Sequence, residues 1–129
     1  MLRLDHVALQ HPQPEAVSAW LCLHFGLVVY RVSASASRAR FLRCSATGMM
    51  LEIYRQPEVA VPDYAAMPPA VLHLAFYTDA IDADAARLLA AGAVSAGEPG
   101  RNSAGDAFLM LRDPWGVPLQ LVSRIKDLS

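Results

Sequence analysis

Apolar residues recur with two different spacings along this chain, and the same order of spacings occurs twice. Residues 4–9 and residues 71–76 are rich in aliphatic side chains that partly alternate with polar ones, which predicts β-strands. Residues 15–25 and 80–91 follow them with apolar positions three and four apart, which predicts amphipathic helices. Each half of the chain is therefore expected to begin with a strand and a helix.

Three short strands are predicted after each helix. They cover residues 27–32, 39–44 and 49–54 in the first half, and residues 93–96, 107–112 and 118–122 in the second. The pattern therefore predicts a βαβββ module in each half of the chain. For the whole chain it predicts an α+β fold of two tandem modules.

The expected boundaries follow from this repeat. They are residues 1–55 for the first module, 56–70 for a linker, 71–125 for the second module and 126–129 for a tail. The linker contains four prolines, which favour a semi-rigid connector over a helix or strand.

Composition limits the function classes that need considering. A chain of 129 residues with 54% hydrophobic and 18% charged residues is long enough for a core and too apolar for intrinsic disorder. The surplus of apolar residues favours a partner surface or a large apolar pocket. A formal net charge of -1 argues against nucleic acid or an anionic membrane as the main partner.

A cytoplasmic location is expected. No stretch approaches the roughly 18 uninterrupted apolar residues of a membrane span. The first residues lack the apolar run of a signal peptide, and two cysteines do not make a disulfide framework.

Four polar residues interrupt apolar strands at matched places in the two halves. They are His6 and Glu52, which are 46 positions apart, and His73 and Gln120, which are 47 apart. Because successive strand residues face opposite sides of a sheet, each points away from its aliphatic neighbours. Imidazole nitrogens with carboxylate or amide oxygens suit Zn, Ni, Fe, Mn or Co. The pattern of four predicts a metal or polar-ligand site, whereas any one of these residues alone would usually be a solvated strand face or a satisfied core group.

Further side chains are candidates for contacts with a small molecule. Those assigned to substrate binding are Tyr54, Tyr77, Met50 and Arg101. The first three share predicted strand faces with Glu52 or His73, and Arg101 lies in a predicted hairpin loop, residues 97–105. A basic run around the third strand, Arg38, Arg40 and Arg43, could steer an anionic group or be a solvated strand edge.

Three segments resemble a known family. They are Leu-Asp-His-Val-Ala-Leu at residues 4–9, Leu-His-Leu-Ala-Phe at 72–76, and an Asp-Pro-Trp-Gly turn with the strand after it at 113–121. The paired modules resemble the vicinal oxygen chelate superfamily, which includes glyoxalase I, extradiol dioxygenases, fosfomycin-resistance enzymes and bleomycin-binding proteins. The resemblance covers nearly the whole chain, is greatest to glyoxalase I-like proteins, and implies a curved mixed sheet around a cavity.

The resemblance also implies a ligand set for a divalent metal (Ni, Zn, Fe, Mn or Co). Carried over by position, the ligands are His6, Glu52, His73 and Gln120. Gln120 departs from the family pattern, in which a glutamate is usual. An amide is neutral and cannot accept a proton at working pH, so metal affinity should fall, and absence of metal is the alternative. Glu52 is then the candidate catalytic base.

Three functions follow from the resemblance. The first is a metal-dependent lyase or isomerase acting on a small substrate with two vicinal oxygens. The second is a non-catalytic small-molecule binding protein of the bleomycin-resistance type, and the third is an extradiol dioxygenase-like enzyme. A homodimer is expected in each case, and the sequence leaves open whether the two halves of one site come from the same chain.

Overall fold

The computed structural model describes residues 1–125 of the chain. These residues belong to two compact units, one formed by Met1–Pro62 and the other beginning at Asp63. Each unit has one long helix packed on a β-sheet. The predicted tail, residues 126–129, lies outside the described residues.

The first unit contains a four-stranded mixed sheet. Its elements are β1 (Val7–Gln10), α1 (Pro14–Phe25), β2 (Val28–Val32), β3 (Arg40–Arg43) and β4 (Met50–Tyr54). The strand order is β1-β4-β3-β2, in which β1 is parallel to β4 and the other pairs are antiparallel. The crossover through α1 therefore brings the first strand of the unit beside its last.

Helix α1 covers one face of this sheet. Pro14 occupies the start of the helix, where its missing N–H costs no hydrogen bond, and Gly26 ends it with a left-handed φ of 70°. The buried side of α1 includes Val17 and Leu21, and the buried side chains of the sheet include Leu42 and Ile53. The apolar stripe predicted from the sequence is thus the face that packs.

The second unit repeats this arrangement. Its elements are a 3-10 turn (Tyr64–Ala66), β5 (Leu74–Tyr77), α2 (Ile81–Ala90), β6 (Val94–Ser95), β7 (Gly100–Arg101), β8 (Ala107–Arg112) and β9 (Pro118–Ser123). The strand order is β5-β9-β8-β6, β7 also pairs with β8, and β5 is parallel to β9. The βαβββ order and the α+β class are therefore confirmed.

The register of the parallel strands is the same in both units. Ala8 pairs with Glu52 in the first, and Ala75 pairs with Gln120 in the second. His6 and His73 each lie two residues before those alanines, immediately ahead of their strands. The repeat seen in the sequence is thus a repeat of strand pairing.

Two segments contain elements that the sequence did not predict. The predicted loop at residues 97–105 includes strand β7, and Asn102 closes the following turn by accepting hydrogen bonds from the backbone N–H groups of Ala104 and Asp106. Within the predicted linker, the 3-10 turn buries Tyr64, and the Arg112 guanidinium donates hydrogen bonds to the carbonyls of Tyr64 and Met67. Both elements are too short to show a hydrophobic period.

Candidate metal and substrate site

His6 and Glu52 form a polar pair on the sheet face that α1 leaves uncovered. Strands β1 and β4 are neighbours, and Nε2 of His6 lies 3.5 Å from Oε1 of Glu52. Their side chains remain 32% and 21% exposed, whereas Ile53, the next residue of β4, is fully buried on the opposite face. The alternation predicted from the sequence therefore brings these two residues together.

The ring of His6 is held in one orientation. Its Nδ1 lies 2.7 Å from a carboxylate oxygen of Asp5, and the ring of Phe41 packs against it edge to face with centroids 5.0 Å apart. A carboxylate only accepts hydrogen bonds, so Nδ1 carries the proton. In the neutral imidazole, the lone pair is then on Nε2, the atom that faces Glu52.

His73 has the same arrangement with a different partner. Its Nδ1 donates to the backbone carbonyl of Pro69 at 2.8 Å, which again leaves the lone pair of the neutral ring on Nε2. Gln120 is half-buried in β9, at the register position that Glu52 has in β4. Each unit therefore has one histidine with an available Nε2 and one side chain with an available oxygen.

The chemistry of these donors fits a divalent metal. Ligand atoms about 2.1 Å from a metal are about 3.0–3.4 Å apart at octahedral or tetrahedral angles, close to the 3.5 Å between His6 and Glu52. Metal-binding histidines usually donate their other N–H to a carboxylate or carbonyl, as both rings do here. Among residues 1–125, no three His, Cys, Asp or Glu residues are grouped to hold an ion. His6 and Glu52 by themselves are two of the three or four protein ligands that a metal site usually has.

Three of the predicted substrate contacts lie on strand faces that carry these pairs. Met50 and Tyr54 are half-buried and alternate with the residues of β4 that face α1. Tyr77 is exposed and lies an even number of residues after His73, so the two side chains point to the same face of the sheet. Its hydroxyl donates a hydrogen bond to the carboxylate of Asp79. These three remain candidates for substrate contacts.

Arg101 lies on the other face of its sheet. It pairs with Ala107 of β8, whereas Gln120 pairs with Met110, three residues further along the same strand. Arg101 donates a hydrogen bond to the carbonyl of Gly105 and lines a separate cavity of about 340 Å³ beside the first turn of α2. The structure therefore does not bring Arg101 together with Gln120.

The basic run around β3 is divided between the two faces of its sheet. Arg38 and Arg40 reach Glu15 of α1, with N–O distances of 2.8 and 3.8 Å. Arg43 instead pairs with Met50 and therefore lies on the face of Glu52. Only the last of the three is placed to meet a molecule bound there.

Arg31 reaches the same face because of a backbone irregularity. A β-bulge at Tyr30 shifts the pairing so that Val29 pairs with Leu42 but Arg31 pairs with Phe41. Without the bulge, Arg31 would share the face of Val29, because regular strand residues two apart point the same way. The sequence pattern gave no signal for this change of face.

No helix in the part of the chain that the structure describes is long and apolar enough to cross a membrane.

Comparisons with solved structures show the same fold in several bacterial proteins. The glyoxalase family protein from Bacillus cereus is 18% identical with a TM-score of 0.79, and the match covers 98% of this chain and 96% of that one. The glyoxalase family protein from Enterococcus faecalis is 23% identical with a TM-score of 0.73, covering 93% and 96%. The fosfomycin resistance protein FosX from Listeria monocytogenes is 17% identical with a TM-score of 0.71, covering 96% and 94%.

Among curated proteins, none matches this sequence. A family model matches residues 3–121, which is nearly the whole described chain. The chain therefore belongs to the Glyoxalase/Bleomycin resistance protein/Dioxygenase superfamily, the vicinal oxygen chelate proteins.

Proposed function

We propose that this protein is a metal-dependent lyase or isomerase of the glyoxalase type that acts on a small substrate with two vicinal oxygens. The proposed ligands are His6 and Glu52 of the first unit and His73 and Gln120 of the second. The observation that carries the proposal is the matched orientation of the two histidines, each of which donates a hydrogen bond from Nδ1–H and leaves the Nε2 lone pair available.

A bound divalent cation, Ni, Zn, Fe, Mn or Co, would supply Lewis acidity that polarises the two substrate oxygens. His6 and His73 would hold it through Nε2, and Gln120 would add a neutral carbonyl oxygen. Glu52 is the only one of the four side chains that carries a carboxylate, so it is the proposed base. It would take a proton from a substrate carbon onto a carboxylate oxygen and return that proton to the product.

Metal content of the purified protein tests this proposal. After loading with each metal and dialysis, we expect about one equivalent per chain by mass spectrometry, and a large loss in His6→Gln and in His73→Gln. His24→Gln is the matched control, because His24 packs on Trp20 at the end of α1 and belongs to neither pair. Equal metal retention in all three variants, or none in the wild-type protein, would contradict the proposal.

The base is tested separately with the variant Glu52→Gln. The variant keeps an oxygen ligand but cannot accept a proton, so we expect turnover to fall by about 10²–10⁴-fold while substrate still binds. Hydrogen–deuterium exchange at the substrate carbon, followed by NMR, measures the proton transfer directly. Exchange at the wild-type rate in Glu52→Gln would rule this base out.

A non-catalytic binding protein of the bleomycin-resistance type is the second candidate. Gln120 favours it, because a site that only holds a compound does not need a second carboxylate. Fold neighbours include the fosfomycin resistance protein FosX and a glyoxalase/bleomycin resistance protein from Albidiferax ferrireducens. Tight binding of a drug-like compound by metal-free protein, with no turnover of any oxygenated substrate, would favour this function.

An extradiol dioxygenase-like enzyme is the third candidate. It would need iron, and Gln120 stands where such enzymes have their carboxylate ligand. Oxygen uptake by the iron-loaded protein with a catechol would move this candidate to first place.

The proposal includes a homodimer in the cytoplasm. Strand β2 exposes Val29 and Val32 on the side of the sheet that carries α1, an apolar surface that a second copy of the chain could cover. Cys22 and Cys44 are both free thiols, which suits a reducing compartment. Sedimentation equilibrium should give twice the mass of the chain, and a monomer at micromolar concentration would contradict the dimer.

A further inference from the structure

We propose that Arg43 and Arg31 bind an anionic group, a carboxylate or a phosphate, on the substrate of the site described above. This inference rests on the proposed function, because it names the substrate class of that site. It would restrict the substrate to a small molecule with two vicinal oxygens at one end and a negative charge at the other.

The first support is the position of the two arginines in the sheet. One row across the face runs from Glu52 of β4 through Phe41 of β3 to Arg31 of β2. In the next row, Arg43 pairs with Met50, and His6 precedes β1 at the same level. Neighbouring strands are about 4.8 Å apart, so each arginine starts about 10 Å from one member of the His6–Glu52 pair.

The surface between the two ends is apolar. Met50 and Phe41 occupy the middle positions of the two rows, and both are half-buried. A ligand lying across these two side chains would meet His6 and Glu52 with one end and the arginines with the other. Because an arginine side chain is long and mobile, the span needed from such a ligand is that of a short-chain compound.

The second support is that no described residue forms a hydrogen bond with the side chain of either arginine. Except for Arg3, which precedes the first strand, the other described arginines have acidic or carbonyl partners; they are Arg38, Arg40, Arg55, Arg87, Arg101, Arg112 and Arg124. Within residues 1–125, Arg43 forms no hydrogen bond or ion pair, and Arg31 has only a stacking contact with Tyr30 at 5.7 Å. A guanidinium with free N–H groups can bind a carboxylate or phosphate through two parallel hydrogen bonds.

The β-bulge at Tyr30 adds a third, independent support. The bulge interrupts the regular pairing of β2 with β3. As a result, Arg31 points to the face of Glu52 and not to the face that carries α1. Bulges often re-aim one side chain next to a functional site. Of the two arginines on this face, Arg43 is at a regularly paired position and Arg31 is there because of the bulge.

Binding of simple probes to metal-free protein tests the inference without any turnover. The probes are glycerol 3-phosphate and glycerate, which carry hydroxyl groups and an anion, with glycerol as the neutral counterpart. By calorimetry or NMR titration, we expect both anions to bind more tightly than glycerol. Arg43→Gln and Arg31→Gln should each weaken anion binding by about 10-fold, the usual effect of losing a charged hydrogen bond. Whichever anion binds more tightly identifies the group recognised.

Arg55→Gln is the matched control, because it removes the same charge from the first unit at an exposed residue just after β4. Unchanged anion binding in both test variants, equal weakening in the control, or no binding of either anion by wild-type protein would overturn the inference. Metal content, measured on separate portions of the same proteins after metal loading and dialysis, keeps the two proposals distinguishable. A protein that retains no metal after loading but loses anion binding in Arg43→Gln contradicts the proposed function only.

Discussion

Gln120 is a neutral amide at the position that matches the carboxylate of Glu52, and its chemistry sets the expected strength of the proposed site. It occupies in β9 the register position that Glu52 occupies in β4. An amide oxygen can coordinate a metal, but it adds no negative charge. The two units should therefore contribute unequally to metal binding.

The variant Gln120→Glu tests this inequality. A second carboxylate near a divalent cation should raise the metal affinity about 10-fold or more, because the added attraction acts at short range. Competition with a chromogenic chelator measures the affinity. Ser103→Glu adds the same charge to an exposed turn of the same unit and should leave it unchanged. Equal affinity in Gln120→Glu and the wild-type protein would show that residue 120 does not contact the metal.

Asp5 is a positioning residue for His6 through its 2.7 Å contact with Nδ1. In Asp5→Ala, the ring loses its acceptor, and metal affinity should fall about 10- to 100-fold, the usual effect of removing such an orienting partner. Thermal stability should hardly change, because Asp5 is 74% exposed. Glu58→Ala removes an exposed carboxylate elsewhere in the first unit and is the control. A fall in stability without a change in metal affinity would contradict the positioning role.

At the scale of single elements, strand alternation predicted which side chains would share a face in regular strands. Met50, Glu52 and Tyr54 lie together in β4 because each is two residues from the next. The same rule could not place Arg31, whose face depends on a bulge, or Arg101, whose strand has two residues. Orienting partners such as the Pro69 carbonyl are backbone groups, which leave no mark in the sequence.

The 3-10 turn at Tyr64–Ala66 depends on the Arg112 guanidinium. Nη1 donates to the carbonyls of Tyr64 and Gly116, and Nη2 donates to that of Met67, at 2.8, 3.1 and 3.0 Å. Arg112→Gln should lower the free energy of unfolding by about 2 kcal/mol, because these are hydrogen bonds from a charged donor. Urea denaturation measures the change. Arg87→Gln breaks an exposed pair with Asp84 and should cost less than about 1 kcal/mol. Equal losses in both variants would contradict the role assigned to Arg112.

Asp106 should make stability depend on acid pH. The backbone N–H of Ile125 donates to its carboxylate, and with Asn102 and Arg124 it lowers the pKa of Asp106. A carboxyl whose folded pKa is depressed stabilises the protein above its unfolded pKa, about 3.9, and this contribution is lost as pH falls through the folded pKa. Asp106→Asn should therefore be less stable at neutral pH and show a flatter decline in acid. Denaturation at several pH values measures this, and an unchanged acid slope would contradict it.

At the scale of the whole molecule, the duplication explains why so much of the fold was predictable. Both units have the order βαβββ, with the two-residue strand β7 as an addition in the second, and the parallel pairing of first and last strands recurs with the same register. A pattern that occurs twice in one chain is a stronger signal than either copy alone. The substrate is less predictable, because it is selected by side chains such as Arg31 and Arg43 whose faces depend on details of strand pairing.

X-ray absorption at the metal edge tests the central claim most directly, because it identifies the atoms around a bound metal. The account predicts two imidazole nitrogens per metal in the wild-type protein, with the remaining donors oxygen, and one imidazole in His6→Gln or His73→Gln. A metal environment without imidazole, or one that neither substitution changes, would contradict it.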